Sequence, residues 1–270
     1  MSRNSALYGC TIKNKVCYYS GNYASTDSPR LSSSCFKFKQ FRINQDLCAM
    51  KVNTDGILLG AWAPVEHRQN LLDIGTGTGL IALMAAQRTT NTEATVTALD
   101  IDPDAAKQAK ANFEQSPWTK RLSVFCQDVQ TYLPATQLFD LILCNPPYFN
   151  DSLKAPDPKR RLARHTDSLS FHSLLEHASR LTTQSADFCL ILPVNEGNRF
   201  IEHSQSTPWR LSALCKIRHN GSKPAFRYLM RFSKQKGVTE PAESELLIRT
   251  SDNHYSDEFT NLCRDFYLKM

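Results

Sequence analysis

The 270-residue chain contains no apolar run approaching the ~18 residues that a membrane-spanning helix needs, which excludes a helical spanning protein. Residues 1–34 hold no continuous apolar stretch, which argues against a secretory signal. No Cys-x-x-Cys pair occurs, and the nine cysteines are odd in number and scattered. A zinc framework and a disulfide framework are therefore both disfavoured. Cys10, Cys17 and Cys35 sit in a polar leader, whereas Cys126, Cys144, Cys189 and Cys215 sit in apolar runs that read as strands. Reduced thiols in a cytoplasmic protein are the expectation. No internal repeat is present. The composition is not that of a disordered chain either: 41% hydrophobic and 21% charged residues suit a globular protein with a sizeable core.

What is present is an uneven distribution of charge. Lys and Arg number 32 against 26 Asp and Glu, a formal net charge of +6. Residues 1–50 carry 7 basic and 2 acidic side chains, and residues 51–150 carry 7 and 10. Residues 151–236 carry 15 and 7, and residues 237–270 carry 3 and 7. A neutral-to-acidic block thus lies between two basic ones. Basic clustering of this kind is the footprint of a polyanion partner, most often nucleic acid, although a solvated surface gives the same count.

Residues 1–35 are rich in Ser, Asn and Tyr without helical or strand period, and read as a flexible extension. From residue 36 to residue 270 the pattern becomes regular and reads as one domain. Thr54 is placed to cap a short helix through Trp62. Strands are expected at 71–74, 95–99, 122–126, 139–144 and 188–192, and helices at 80–87, 103–115, 169–181 and 195–204. Two later strands, near 209–218 and 226–233, lie close together, with 245–249 a possible third. Alternating strands and helices followed by a late hairpin predict an α/β, doubly wound, mostly parallel sheet with an antiparallel edge.

Asp73-Ile74-Gly75-Thr76-Gly77-Thr78-Gly79 lies between an expected strand and an expected helix. Glycines there allow a tight turn and a close approach of ligand to backbone. The spacing is not GxGxxG, so a pyrophosphate cradle fits poorly. No Lys-Ser or Lys-Thr follows, which excludes a P-loop. The next strand ends at Asp100, where a carboxylate can accept from both hydroxyls of a ribose. The strand after that is followed by Asp128, where a side chain can take the amino group of an adenine. Each aspartate alone could simply cap a helix. Three in succession beside a glycine loop have the profile of S-adenosylmethionine: a ribose, an adenine and no phosphate.

The fourth strand runs into Asn145-Pro146-Pro147-Tyr148, the most specific signal in the chain. Two prolines remove two backbone donors and fix the loop. The Asn145 amide oxygen and the Pro146 carbonyl are left as acceptors for one planar NH2 group. Tyr148 offers a face on which that group's ring can stack. Accepting from both N–H groups localises a lone pair that is otherwise delocalised into the ring. Methyl transfer then needs positioning and electrostatics and no strong base.

On these residues the chain from about residue 36 onward resembles the class I S-adenosylmethionine-dependent methyltransferases with an NPPY motif. Residues 38–46, 48–62, 73–79, 115–118 and 145–148 carry the likeness, and 50–62 is its most specific part. Within that class the chain resembles the bacterial tRNA adenine-N6 branch. The resemblance implies a Rossmann-like fold with a seven-stranded sheet, and S-adenosyl-L-methionine as cofactor. It implies that Lys51, Thr54, Asp55 and Gly56 lie over the cofactor pocket beside Asp73, Gly75, Gly77, Gly79, Asp100, Asp128 and Asn145. It implies methylation of adenine 37 in the anticodon loop of tRNA1(Val). Neither a metal nor a membrane is expected as partner, and a monomer is the expectation. Asn53 stands where glycine is expected, and tolerates the left-handed conformation a glycine would supply.

Adenine N6 lies on the Watson–Crick edge, so the base must be unstacked or already single-stranded. Arg160, Arg161 and Arg164, just past the NPPY loop, and Lys223, Arg227 and Arg231, on the late hairpin, are expected to position phosphates. Three alternatives remain open on the residues alone: guanine N2 in ribosomal RNA, a protein glutamine, or RNA binding without catalysis.

Overall fold

A computed structural model describes residues 35–134, 137–146, 169–235, 237 and 240–270, together with the backbone of 11–12 and 15–16. The chain divides into two units, Met1–Ser33 and Ser34–Met270. In the first, β1 (Thr11–Ile12) pairs antiparallel with β2 (Lys15–Val16), where the sequence showed no strand period. The second unit opens with a hairpin that sequence patterning did not reveal, β3 (Cys35–Lys37) and β4 (Arg42–Asn44). Helix α1 (Thr54–Trp62) follows, then β5 (Asn70–Ile74), α2 (Leu80–Arg88), β6 (Thr95–Asp100) and α3 (Pro103–Glu114). Next come β7 (Leu122–Cys126), β8 (Phe139–Cys144), α4 (Phe171–Leu181), β9 (Thr182–Pro193) and α5 (Val194–Ser204). The chain closes with β10 (Arg210–Arg218), β11 (Ala225–Ser233), β12 (Ala242–Leu247) and α6 (Asp257–Cys263).

The large sheet has eight strands in the order β12-β10-β11-β9-β8-β5-β6-β7, one more than the resemblance implied. β11 is antiparallel to both β9 and β10, and every other neighbouring pair is parallel. The reversed strand is therefore interior, and not at the edge where the sequence pattern places it. β10 lies outside it, and β12 pairs parallel with β10 to form the border.

Both faces of the sheet are covered. One core joins α1, α2, α3 and α6 to one face through Ile57, Leu83, Phe113 and Phe259. The other joins α4 and α5 to the opposite face through Leu175, Phe188, Phe200 and Trp209. Each fully buried large side chain of this kind contributes about 1.5–3 kcal/mol relative to exposure. Trp209 satisfies its indole N–H on the Leu175 carbonyl, 3.1 Å away. α1 and α2 approach closely because Gly56 and Gly60 face α2. A Cβ on Gly60 would lie 2.7 Å from the Met84 sulfur, and one on Gly56 would lie 3.1 Å from Leu80.

Cys35, Cys48, Cys144, Cys189, Cys215 and Cys263 are free thiols. Cys144, Cys189 and Cys215 are buried, as their apolar runs imply, but Cys126 at the end of β7 is exposed. Among the described residues no helix is long and apolar enough to cross a membrane.

Candidate active site

Strand order reverses at β5, which has β6 on one side and β8 on the other. In open α/β sheets the crevice outside the carboxyl ends of the strands at such a switch point is where ligands bind. The glycine loop leaves β5 there. Gly75 and Gly77 have φ of +71° and +55°, and a Cβ on either would meet nothing within 4 Å. Their backbone is thus bare towards open space. Gly79 has φ of +82° for a different reason: a Cβ there would lie 2.5 Å from the Phe113 ring. It lets α3 pack against the loop.

Two acids hold this loop. Asp73 is fully buried, and its Oδ2 accepts from the Thr76 hydroxyl at 2.6 Å and the Ala82 amide at 3.2 Å. Its Oδ1 is buried with no hydrogen-bond partner. Burial pushes the Asp73 carboxyl up to about 7. The bonds from Thr76 and Ala82 oppose that rise, and the nearby charge of Asp100 adds to it. Asp100, half-buried at the end of β6, accepts from the Gly77 amide on Oδ2 at 2.8 Å and from the Asp102 amide on Oδ1 at 2.9 Å. Each of its oxygens keeps a second lone pair. Ile101, 66% exposed, follows it and offers an apolar face that sequence reading did not single out. Asp128 is placed beyond β7 as expected, but its oxygens already accept from the Gln130 amide at 2.9 Å and the Gln130 side chain at 3.2 Å.

Asn145 follows β8 directly and lines one cleft with Lys51, Asn53, Gly56, Gly75 and Gly77. No hydrogen bond within the described residues engages its side-chain amide. Pro146 is buried behind it. Pro147, Tyr148, Arg160, Arg161 and Arg164 lie outside the described residues.

Two expectations about α1 need correction. Asn53 is not left-handed. Its φ is −136°, and its side chain caps α1 by accepting from the Gly56 amide at 2.9 Å. The cap is therefore Asn53 and not Thr54. Thr54 and Asp55 do not face the glycine loop. They line a neighbouring cavity, where Asp55 Oδ2 accepts from Arg227 Nε at 2.8 Å. Of the hairpin cations, Lys223 and Arg227 lie at the same edge of the sheet as Asn145. Arg231 does not: four residues further along β11, roughly 13 Å away, its Nε donates to Ser212.

Sequence reading missed the residues that seat the 38–53 segment over the loop. Asn112, 1% exposed on α3, accepts from the Asn44 amide at 3.0 Å. Its Nδ2 donates to the Asn44 carbonyl at 2.9 Å and the Thr78 carbonyl at 2.8 Å. Gln108 accepts from the Leu47 amide at 3.0 Å, and Gln45 from the Val52 amide at 2.8 Å. The signal was available: Gln108 and Asn112 recur at helical spacing with the apolar Ala105, Ala109 and Phe113.

S-adenosylmethionine suits these groups. The bare backbone at Gly75 and Gly77 leaves a cradle, Asp100 keeps acceptors for two hydroxyls, and Asp73 Oδ1 is a buried acceptor without a donor. The strand order, the single reversed strand and the loop at the switch point define a class I methyltransferase. The crystal structure of a predicted O-methyltransferase from Agrobacterium tumefaciens has the same fold, with a TM-score of 0.60 at 19% identity over 78% of this chain and 96% of that one. The family model of the methyltransferase small domain matches residues 48–168. A tRNA1(Val) (adenine(37)-N6)-methyltransferase of Tolumonas auensis is 44% identical over 87% of this chain and 97% of its own. Those of Vibrio campbellii and Bacteroides fragilis are each 44% identical, over 90% and 89% of this chain and 99% and 100% of theirs. The chain belongs to the tRNA1(Val) (adenine(37)-N6)-methyltransferase family.

Proposed function

We propose that the protein methylates the N6 amine of adenine 37 in the anticodon loop of tRNA1(Val), with S-adenosylmethionine as donor. The observation that carries this reading is the placement of Asn145 in one cleft with Gly75 and Gly77. The cofactor, when bound, supplies an electrophilic methyl group. Asp100 accepts the ribose hydroxyls, while Asp73 shapes the glycine loop from beneath. Lys51, Asn53 and Gly56 close the cleft from above. Asn145 and the Pro146 carbonyl would accept from the two N–H groups of the adenine amine and so direct its lone pair at the methyl, and one of the two amine protons would leave to water once the nitrogen is methylated. Tyr148 gives the extruded base a stacking face, and Pro147 stiffens the loop. Arg160, Arg161, Arg164, Lys223 and Arg227 hold phosphates and leave sequence choice to other contacts. Asp128 serves the cofactor's adenine only with the acceptor capacity that Gln130 leaves. The catalytic body is residues 36–270, acting as a monomer, and the buried free thiols of Cys144, Cys189 and Cys215 suit the reducing cytoplasm.

The test is incubation with bulk unmodified tRNA and labelled cofactor, followed by nucleoside analysis. N6-methyladenosine confined to one valine tRNA is expected, and methylated guanine would replace the assignment. Asn145→Ala should lower transfer at least ~100-fold while cofactor binding persists. Full activity in that variant would refute the mechanism.

A further inference from the structure

A second cavity, of about 450 Å³, lies on the other side of the α1 N-terminus from the glycine loop, and Asn53 lines both. Its walls include His219 after β10, Phe226 and Arg227 at the start of β11, Arg249 after β12, and Tyr255. Because β11 runs against its neighbours, its amino end shares an edge with the carboxyl ends of β8, β9 and β10. Along that edge the order is glycine loop, Asn145, Pro193, Arg227, His219. The cavity is therefore on the far side of Asn145 from the cofactor groups. β8 and β10 are three strands apart, about 14 Å. A few nucleotides of single strand span that distance.

The walls are flat and cationic. The rings of His219 and Phe226 stack with centroids 3.8 Å apart and planes 5° from parallel. The Arg227 guanidinium lies 5.3 Å from the Phe226 centroid. The Arg249 guanidinium lies 4.6 Å over Tyr255 and donates to the Asn253 carbonyl at 2.6 Å. No carboxylate pairs with Arg249 among the described residues. Asp55 is the one acid in the lining. Aromatic faces interleaved with arginines are how single-stranded nucleic acid is held without base-specific readout. The groups assigned to the cofactor, Gly75, Gly77 and Asp100, lie outside this cavity.

We propose that the cavity is a subsite for a nucleotide flanking the target adenine, with its base stacked on the His219–Phe226 face and its phosphate drawn to Arg249. The proposal rests on the RNA reading of the active site. It is tested by titrating a fluorescent anticodon stem-loop into the full chain and into His219→Ala, Tyr255→Leu and Arg249→Gln variants. Phe226 is left intact because it also packs on the core. RNA affinity should fall about tenfold in each variant, with S-adenosylmethionine affinity within about twofold of the wild type. Arg249→Gln should also flatten the salt dependence by about one unit of slope. Stem-loops made abasic at one neighbour of the adenine should bind the wild type more weakly, with no further loss in His219→Ala. Unchanged RNA affinity in all three variants, or additive losses with every abasic RNA, would overturn the subsite. Methyl transfer to adenine is scored separately on the wild type. Its absence would sink the functional reading, while weakened RNA binding in the variants would still support the subsite.

Discussion

The Gly77 amide donates to Asp100 Oδ2 across 2.8 Å, tying the loop after β5 to the last residue of β6. The other oxygen of Asp100 holds the Asp102 amide. The carboxylate is thus oriented before any ligand arrives, and its remaining lone pairs point from a fixed frame. Hydrogen bonds to charged groups contribute about 1.5–3 kcal/mol each. Asp100→Ala should therefore weaken S-adenosylmethionine binding on the order of 10–100-fold, measured by calorimetric titration. A loss below threefold would mean that the ribose is held elsewhere.

The three loop glycines should separate into two kinds. Gly79→Ala sets a Cβ 2.5 Å from the Phe113 ring at a φ of +82°, so conformational strain and overpacking add. A loss of about 2–4 kcal/mol in unfolding free energy is expected from denaturant titration. Gly77→Ala meets no neighbour within 4 Å, so only the φ of +55° costs, about 1–2 kcal/mol. Its methyl projects into open space over the cradle, and cofactor affinity should fall more than stability does.

Asn53 caps α1 from an extended backbone. Asn53→Ala should cost about 1 kcal/mol in chemical denaturation, whereas Asn53→Gly should cost only a few tenths. Equal losses in the two variants would show that the side chain matters for more than the cap.

Burial raises Asp73 to about 7 from the ordinary 3.8. The folded chain then holds this proton more tightly than the unfolded one. The group's contribution is most favourable at low pH and is lost as pH rises from about 4 to about 7. Asp73→Asn has no such proton to lose. Its melting temperature should gain on that of the wild type across this window, on the order of 10 °C, and keep a constant offset above it. A constant offset from pH 4 to pH 8 would mean that Asp73 is ionised throughout.

The parallel half of the fold was legible because each buried strand is a short apolar run bounded by a turn or a cap, as at Leu71 and Leu72 or Leu141 to Leu143. The β3–β4 hairpin was not. Its strands are three residues long, too short to display a period, and Phe38, Phe41 and Ile43 are buried by distant partners. α6 was missed for the same reason, at seven residues. The eighth strand was legible only as a possible one at 245–249; β12 spans Ala242–Leu247, and its first four residues are exposed, with the polar pattern of a border. In the site, Asp100 and Asn145 could be placed from the sequence because strand ends fix them. Thr54 and Asp55 could not, because position along the chain does not say which way a helix's first turn faces. Only the bond to Arg227, 172 residues away, settles that.

The reversal of β11 divides responsibility between two parts of one polypeptide. Cofactor groups come from residues before 146, whereas the turn joining β10 to β11 lies at the reactive edge together with Phe226 and Arg227, which reach it only because β11 runs backwards. That turn can therefore be replaced without disturbing the glycine loop. Grafting residues 219–226 from a relative that holds RNA more weakly should lower RNA affinity uniformly across sequences and leave the methyl donor unchanged. In such a chain the grip on RNA can change by exchange of one hairpin, while the chemistry is inherited intact.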